Sequence, residues 1–101
     1  MDDLSGDPLS AKAIAARLEL TRSALKLRIT EFAEGAGIGK SAYSNYKKGE
    51  RKPDLESAIK LCERYELTLD WIYRGDPSGL KYNLAEQIIR LRRERNSARR
   101  K

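Results

Sequence analysis

GIGKSAYSNYKKGERKPDLE, residues 37–56, places two serines, an asparagine, two tyrosines and five cations among glycines and a proline. The stretch is too polar for a buried helix and too regular for a loop. Its spacing predicts a short helix over 40–48 that buries Tyr43 and Tyr46 and turns its polar side chains outward. Gly49 suits the left-handed position that ends a helix. The stretch therefore predicts an exposed basic helix that meets a partner with its polar face.

A second short helix is predicted just before this one, over 30–36. Thr30 is expected to cap its start, Phe32 to lie in the core, and Gly37 to end it in the left-handed conformation. Two short helices joined by a glycine-containing turn have the layout of a helix-turn-helix, in which the second helix enters the major groove of DNA. The sequence thus predicts that the helix at 40–48 reads DNA.

The rest of the chain also has the pattern of short helices, with neither repeats nor strand-like alternation. The further predicted helices cover 10–27, 55–65, 69–74 and 80–95, with Ser10, Asp54 and Thr68 as caps. The expected core contributions are Ile14, Leu18, Leu25, Ala33, Leu55, Ala58, Ile59, Cys62, Tyr65, Leu69, Trp71 and Ile72. Five helices joined by tight turns predict a compact all-α bundle, followed by one additional C-terminal helix.

The predicted organisation has four parts. Residues 1–9 form a disordered N-terminus, and residues 10–78 form the helix-turn-helix domain. Residues 79–95 form a C-terminal helix with a possible role in dimerisation, and residues 96–101 form a basic disordered tail. The apolar face of the C-terminal helix allows two arrangements: it packs back on its own domain, or it pairs with a second copy.

Composition excludes several classes of protein. A chain of 101 residues with 40% hydrophobic residues accommodates one small core. No run approaches the roughly 18 apolar residues of a membrane span, and the acidic residues 1–8 do not resemble a signal peptide. Cys62 is the single cysteine and histidine is absent, so the usual metal ligands and proton shuttle are missing. We expect no cofactor, metal, small-molecule ligand or membrane partner, a cytoplasmic location, and no enzymatic activity.

The positive charge is concentrated in two places. The net charge is +6, and the last ten residues carry six cations against one anion. Residues 40–52 carry five cations against Glu50 alone. Local basic patches of this kind are typical of a surface that binds a polyanion. The C-terminal patch has three interpretations: a solubilising end, an arm that contacts phosphates without sequence preference, or a feature unrelated to DNA.

The predicted helix at 40–48 carries the side chains that read base edges. Lysine donates to guanine, asparagine pairs bidentately with adenine, and serine takes either role. Cations and exposed helix-start amides hold the phosphate backbone and position the protein without specifying sequence. The predicted base contacts are Lys40, Ser41, Ser44 and Asn45. The predicted phosphate contacts are Gly39, Lys47, Lys48, Arg51 and Lys52.

The segment from about Ala16 to Gly75 resembles the lambda-repressor-like, XRE/Cro-type helix-turn-helix family of bacterial and phage regulators. The resemblance rests on TEFAEGAGIGKSAYSNYKKGERKPDLESAIKLCERYELTLDWIYRG, in which the recognition helix ends in glycine and is followed by a basic loop, a Leu-rich helix and an Asp-Trp helix. It implies base contacts at the positions named above and adds Arg22 as a phosphate contact. The chain departs from the family at Ile29, where a glutamine is usual, and at Lys47, where a glutamate is usual.

The resemblance implies a lambda-repressor-like bundle that binds double-stranded DNA as a homodimer and regulates transcription, in the simplest case as a repressor. Three other functions stay open. An antitoxin-like or adaptor module would use the same bundle to bind a partner protein. A non-specific nucleic-acid binder would depend on the basic tail. An enzyme is the least favoured, because no nucleophile, base and orienting group come together.

Overall fold

A computed structural model describes residues 7–99; residues 1–6 and 100–101, at the ends of the predicted disordered termini, lie outside the described residues. Helices are the only regular secondary structure in the described part, and no strand occurs within it. Its α-helices are α1 (Ala11–Leu25), α2 (Ile29–Gly35), α3 (Lys40–Lys47), α4 (Leu55–Tyr65) and α5 (Tyr82–Arg99), with a single π-helical turn at Asp70–Arg74 and a 3-10 turn at Pro77–Gly79 between α4 and α5. The predicted all-α class is confirmed.

Helix α1 is the central element, because α3 and α5 both pack against it. Its first turn is capped as predicted by Ser10, whose hydroxyl accepts a hydrogen bond from the amide of Ala13 at 3.0 Å. It ends at Lys26, which adopts the left-handed conformation at φ 61°. Ile14 and Leu18 are buried and face the rest of the bundle. Helix α1 thus shares one hydrophobic core with α3 and α5.

Trp71 lies at the centre of this core and is fully buried. Its indole N–H donates to the hydroxyl of Thr21 at 2.9 Å, and that hydroxyl donates to the carbonyl of Arg17 at 2.7 Å. A buried indole N–H without a partner would cost on the order of 1–3 kcal/mol, so Thr21 completes the core. The large, fully buried residues around them include Ile14, Leu18, Phe32, Tyr43, Leu61, Ile72 and Ile88.

The turn between α2 and α3 is closed by backbone hydrogen bonds. The amide of Ile38 donates to the carbonyl of Ala33 at 2.9 Å, and Gly37 lies between them at φ 72°. This is the glycine-ended helix terminus predicted at Gly37. The prediction that Thr30 caps α2 was wrong, because the helix begins one residue earlier, at Ile29. Arg28 is the cap residue, and the carboxylate of Glu31 accepts its amide at 2.9 Å.

Two predictions about the core were also wrong. Helix α4 has the predicted bounds and cap, but its buried face contains Ala58 and Leu61, while Leu55 and Ile59 are exposed. Ala58 was predicted in the core, and Cys62 and Tyr65 are half-buried against it, so the buried stripe is rotated by only about 45° from the predicted one. Leu69 is exposed as well, because the predicted helix at 69–74 is a π-helical turn that begins one residue later.

Helix α5 begins at Tyr82, two residues later than predicted, and continues through Arg99. The structure thus has helix at 96–99, where a disordered tail was predicted. Its apolar face packs on its own domain: Leu80 and Ile88 are buried, and Leu84 and Leu91 are half-buried. This face therefore has the first arrangement that the sequence allowed, and a role of α5 in dimerisation stays a prediction.

Candidate nucleic-acid interface

Helix α3 is held against the bundle by its two tyrosines, both buried as predicted. The Tyr43 ring meets the Phe32 ring edge-on, with 5.7 Å between centroids, and its hydroxyl donates to the carboxylate of Glu19 at 2.7 Å. The Tyr46 hydroxyl donates to the hydroxyl of Ser57 at 3.3 Å. Because Tyr43 is bonded to α1 and Tyr46 to α4, the orientation of α3 is set by the core.

The opposite face of α3 carries the predicted base-contacting side chains in two parallel strips. Residues four and three apart lie on the same side of a helix. The first strip is Lys40, Ser44 and Lys47, and the second is Ser41, Asn45 and Lys48. In both strips the N-terminal residue and the last lysine are exposed, while Ser44 and Asn45 are half-buried. The structure therefore brings all the predicted base-contacting residues to one accessible surface.

The C-terminal end of α3 turns sharply at Gly49, which has φ 74°. The amide of Glu50 donates to the carbonyl of Asn45 at 3.0 Å and closes the turn. Beyond it, Arg51 and Lys52 are exposed, whereas Pro53 is buried and its carbonyl accepts the hydroxyl of Tyr73 at 2.7 Å. The basic segment is thus held at both ends while its cations point to solvent.

Lys12 joins this basic segment and was missed by the sequence reasoning. A Cβ placed on Gly49 would lie 3.2 Å from the Cα of Lys12, so the first turn of α1 lies directly against the end of α3. The Lys12 side chain is exposed. No sequence signal marks it, because 37 positions separate the two residues and only the packing of α1 on α3 brings them together.

Arg22, which the family resemblance assigned to phosphate, is engaged inside the protein. It forms an ion pair with Glu19 at 2.8 Å and donates to the carbonyl of Leu27 at 2.8 Å. Burial alone would raise the pKa of Glu19, but the hydrogen bonds from Arg22 and Tyr43, together with nearby Lys47, hold it below its usual value. Glu19 of α1 is thus the acidic partner of Arg22, whereas the family usually has a glutamate on α3, at the position of Lys47.

The start of α3 is open. Gly39 is the cap residue, with φ −67°, and supplies no side-chain cap. A Cβ built on Gly39 would meet no atom within 4 Å. The first amides of a helix have no intrahelical acceptors and lie at the positive end of the helix dipole. The predicted Gly39 position is therefore compatible with an approaching phosphate.

A hollow of about 320 Å³ separates α3 from the start of α2. Its floor includes Ala33 and Tyr43, and its rim includes Lys40, Ser44 and Lys47 of the first strip. Ile29, at the first position of α2, lines the same hollow and is 40% exposed. The position where the family usually has a glutamine thus presents an apolar side chain next to the polar face of α3.

Other kinds of site find no support in residues 7–99. No group of three or more His, Cys, Asp or Glu side chains within that range is placed to hold a metal ion. No helix in the described part of the chain is long and apolar enough to cross a membrane. Cys62 is half-buried, and burial together with nearby Glu63 raises the pKa of its thiol, which favours the protonated form.

Two short helices at a tight turn, with the second anchored by tyrosines and polar outside, define a helix-turn-helix domain. A helix-turn-helix family model matches residues 22–72, about half of the chain. The chain belongs to this family of DNA-binding transcriptional regulators, in its lambda-repressor-like branch.

Two curated relatives come from Bacillus subtilis (strain 168). The uncharacterised HTH-type transcriptional regulator YobD is 35% identical over 74 residues, which are 69% of this chain and 66% of YobD. The uncharacterised HTH-type transcriptional regulator YqaE is 30% identical over 59 residues, which are 58% of this chain and 51% of YqaE. The chain thus spans about two thirds of one relative and half of the other. No solved structure matches the chain significantly.

Proposed function

We propose that the protein is a sequence-specific regulator that reads double-stranded DNA with α3 in the major groove. The observation that supports this best is the division of α3 into a buried tyrosine face and an exposed polar face. An ordinary surface helix needs no such rigid anchoring. A reading helix does, because its side chains must meet base edges within hydrogen-bond distance.

Different residues take different roles in this proposal. Lys40, Ser41, Ser44 and Asn45 contact base edges. Gly39, Lys47, Lys48, Arg51, Lys52 and Lys12 hold the phosphate backbone. Arg22 positions α3 through Glu19 and Tyr43 with three of its donors, and its phosphate contact, which the resemblance implies, stays a prediction for the remaining donors.

A homodimer forms part of the proposal for an energetic reason. A good bidentate base contact discriminates by about 1–3 kcal/mol, so three or four such side chains on one monomer give limited specificity. Two copies on an inverted repeat double the readout. Helix α5 offers a surface: a hollow of about 460 Å³ lined mainly by apolar side chains, with Tyr82 74% exposed and Ile89 also exposed. Repression follows in its simplest form, through occupancy of a promoter in the cytoplasm.

The proposal is tested by comparing two kinds of variant on the preferred duplex. Asn45→Ala should relax the preference at one base position in each half-site while other positions keep theirs. Arg51→Ala should weaken binding to every sequence alike and flatten the slope of log affinity against log salt by about one unit. Equal losses on all sequences for Asn45→Ala would contradict its role in base reading.

The same exposed surface on α5 favours a second candidate, a module that binds a partner protein. Ile89→Asp separates the two functions, because it would disrupt a dimer or a partner complex without touching α3. Loss of dimerisation and of operator affinity together would support the regulator. Retained DNA affinity with loss of a protein complex would support the partner-binding module. Removal of residues 93–101 tests the non-specific binder, which would lose its DNA affinity, whereas the regulator keeps its site preference.

A further inference from the structure

Ile29 is an apolar side chain that is partly exposed beside the polar face of α3. It occupies the first position of α2, and 40% of its surface is accessible. The hollow that it lines is bounded on the other side by Lys40, Ser44 and Lys47. Ile29 belongs neither to the buried core nor to the half-buried side chains that pack against it.

The chemistry of the neighbouring surface identifies what would cover Ile29. Lys40 and Lys47 give the hollow a positive rim, which draws in the DNA backbone and excludes a cationic partner. In a helix-turn-helix the first helix crosses the backbone while the second lies in the groove. In the proposed complex with DNA, the start of α2 therefore lies between the base edges and the phosphates. The only apolar group that a base edge presents in the major groove is the C5-methyl of thymine.

We infer that Ile29 contacts the C5-methyl group of one thymine in each half-site and so contributes to sequence reading from α2. This inference rests on the proposed function, because it requires α3 to lie in the major groove. It assigns a base-reading role outside α3, to a residue that neither charge nor hydrogen bonding would select. Thr30, which lines the same hollow, carries a smaller methyl group at the next position and serves as the competing candidate.

The experiment removes the thymine methyl and the isoleucine separately. The duplex that the wild-type chain selects from a random library is remade with each thymine in turn replaced by deoxyuridine, which lacks only the C5-methyl. Affinity is measured for the wild-type chain, Ile29→Ala and Ile29→Val. Burying one methyl group corresponds to about a fourfold change in affinity. We expect one thymine per half-site at which the replacement weakens wild-type binding about fourfold.

At that position Ile29→Ala should bind both duplexes equally, and Ile29→Val should keep part of the difference. Ile59→Ala is the matched control: it removes the same side chain at the same 40% exposure, on α4 and outside the hollow. It should keep the full fourfold effect. Unchanged helicity and melting temperature establish that Ile29→Ala is folded, which an exposed first helix position permits.

Three results would overturn the inference. The first is that no deoxyuridine replacement weakens wild-type binding, although a preferred duplex was selected. The second is that the methyl effect persists in Ile29→Ala, which would move the contact to Thr30 or to α3. The third is that the wild-type chain selects no sequence at all. That result would overturn the proposed function as well, whereas the first two leave it standing.

Discussion

Replacing Tyr43 by phenylalanine removes one hydroxyl and keeps the ring that packs in the core. The lost hydrogen bond joins α3 to α1, because the hydroxyl donates to the Glu19 carboxylate at 2.7 Å. A hydrogen bond to a charged group contributes about 1.5–3 kcal/mol. The lower end applies here, because the Glu19 side chain is 17% exposed and keeps its ion pair with Arg22. We expect a loss of about 1.5 kcal/mol, or roughly 6–12 °C in melting temperature for a domain of this size.

Urea unfolding followed by fluorescence measures this loss, since Trp71 is the single tryptophan and is buried. The midpoint should fall while the slope with urea stays unchanged. Tyr82→Phe is the matched control, because Tyr82 also donates to a glutamate, Glu86, at 2.9 Å but is exposed. Its effect should stay within about 0.5 kcal/mol. Equal effects of the two substitutions would refute the reasoning that the Tyr43 bond fixes α3.

Three further changes test other parts of the fold. Thr21→Val keeps the side-chain shape but leaves the buried Trp71 indole N–H without its acceptor. The free energy of unfolding, measured in urea, should fall by about 1–3 kcal/mol. A change below about 0.5 kcal/mol would show that another acceptor replaces the Thr21 hydroxyl. Gly49→Ala should destabilise the fold by more than Gly37→Ala. Both glycines have positive φ (74° and 72°), so either alanine costs about 1–2 kcal/mol in backbone strain. Only at Gly49 would the new Cβ also meet the α1 backbone, at 3.2 Å from the Cα of Lys12. Equal melting temperatures for the two glycine variants would contradict the close packing at Gly49. The pKa of Glu19 is lowered in the folded state, so ionised Glu19 stabilises the fold above the ordinary pKa of 4.5, and this stabilisation is lost as pH falls through the pKa of the folded state. Glu19→Gln should therefore flatten the loss of stability in acid. An unchanged dependence of stability on pH would exclude Glu19 as a contributor.

The sequence predicted the helices best where local signals agree. Helix α4 has the predicted bounds, because Asp54 caps it, with its carboxylate accepting the Ser57 amide at 2.8 Å, and because proline precedes it. The start of α2 was predicted too late because arginine, whose side chain has no acceptor, is not a usual cap residue. The hydrogen bond from the Arg28 amide to the Glu31 carboxylate is only the reciprocal half of a capping box, and no side chain caps the first amides of α2.

Packing decided what local patterns left open. In α4 the sequence placed Ala58 correctly in the core but included Leu55 and Ile59, because they fit the helical period equally well, and only the neighbouring helices select Leu61 in their place. Helix α5 is held by its contact with α1 and by Arg92, whose guanidinium lies 5.5 Å from the centre of the Trp71 ring. A cation above an aromatic face stabilises the packing of a helix, and the sequence pattern of α5 does not reveal this contact.

The sequence predicted the side chains of the candidate interface that lie on one helix, α3, but not those that other helices bring beside it. The polar face of α3 follows from the spacing of Tyr43 and Tyr46. Lys12 and Ile29 come from α1 and α2, and only the fold brings them beside α3. The ion pair between Arg22 and Glu19 was not predicted either, because nothing in the sequence singles out Glu19.

In-vitro selection from a random duplex library is the measurement that best tests sequence reading by α3, with the purified full chain at about 150 mM salt, where long-range charge attraction is screened beyond about 8 Å. We expect an enriched inverted repeat whose half-site centres lie about one helical turn apart. Asn45→Ala should lose the preference at one position in each half-site. Binding of every duplex with equal, salt-sensitive affinity and without enrichment would contradict the proposed function, because the polar face of α3 would then read no sequence.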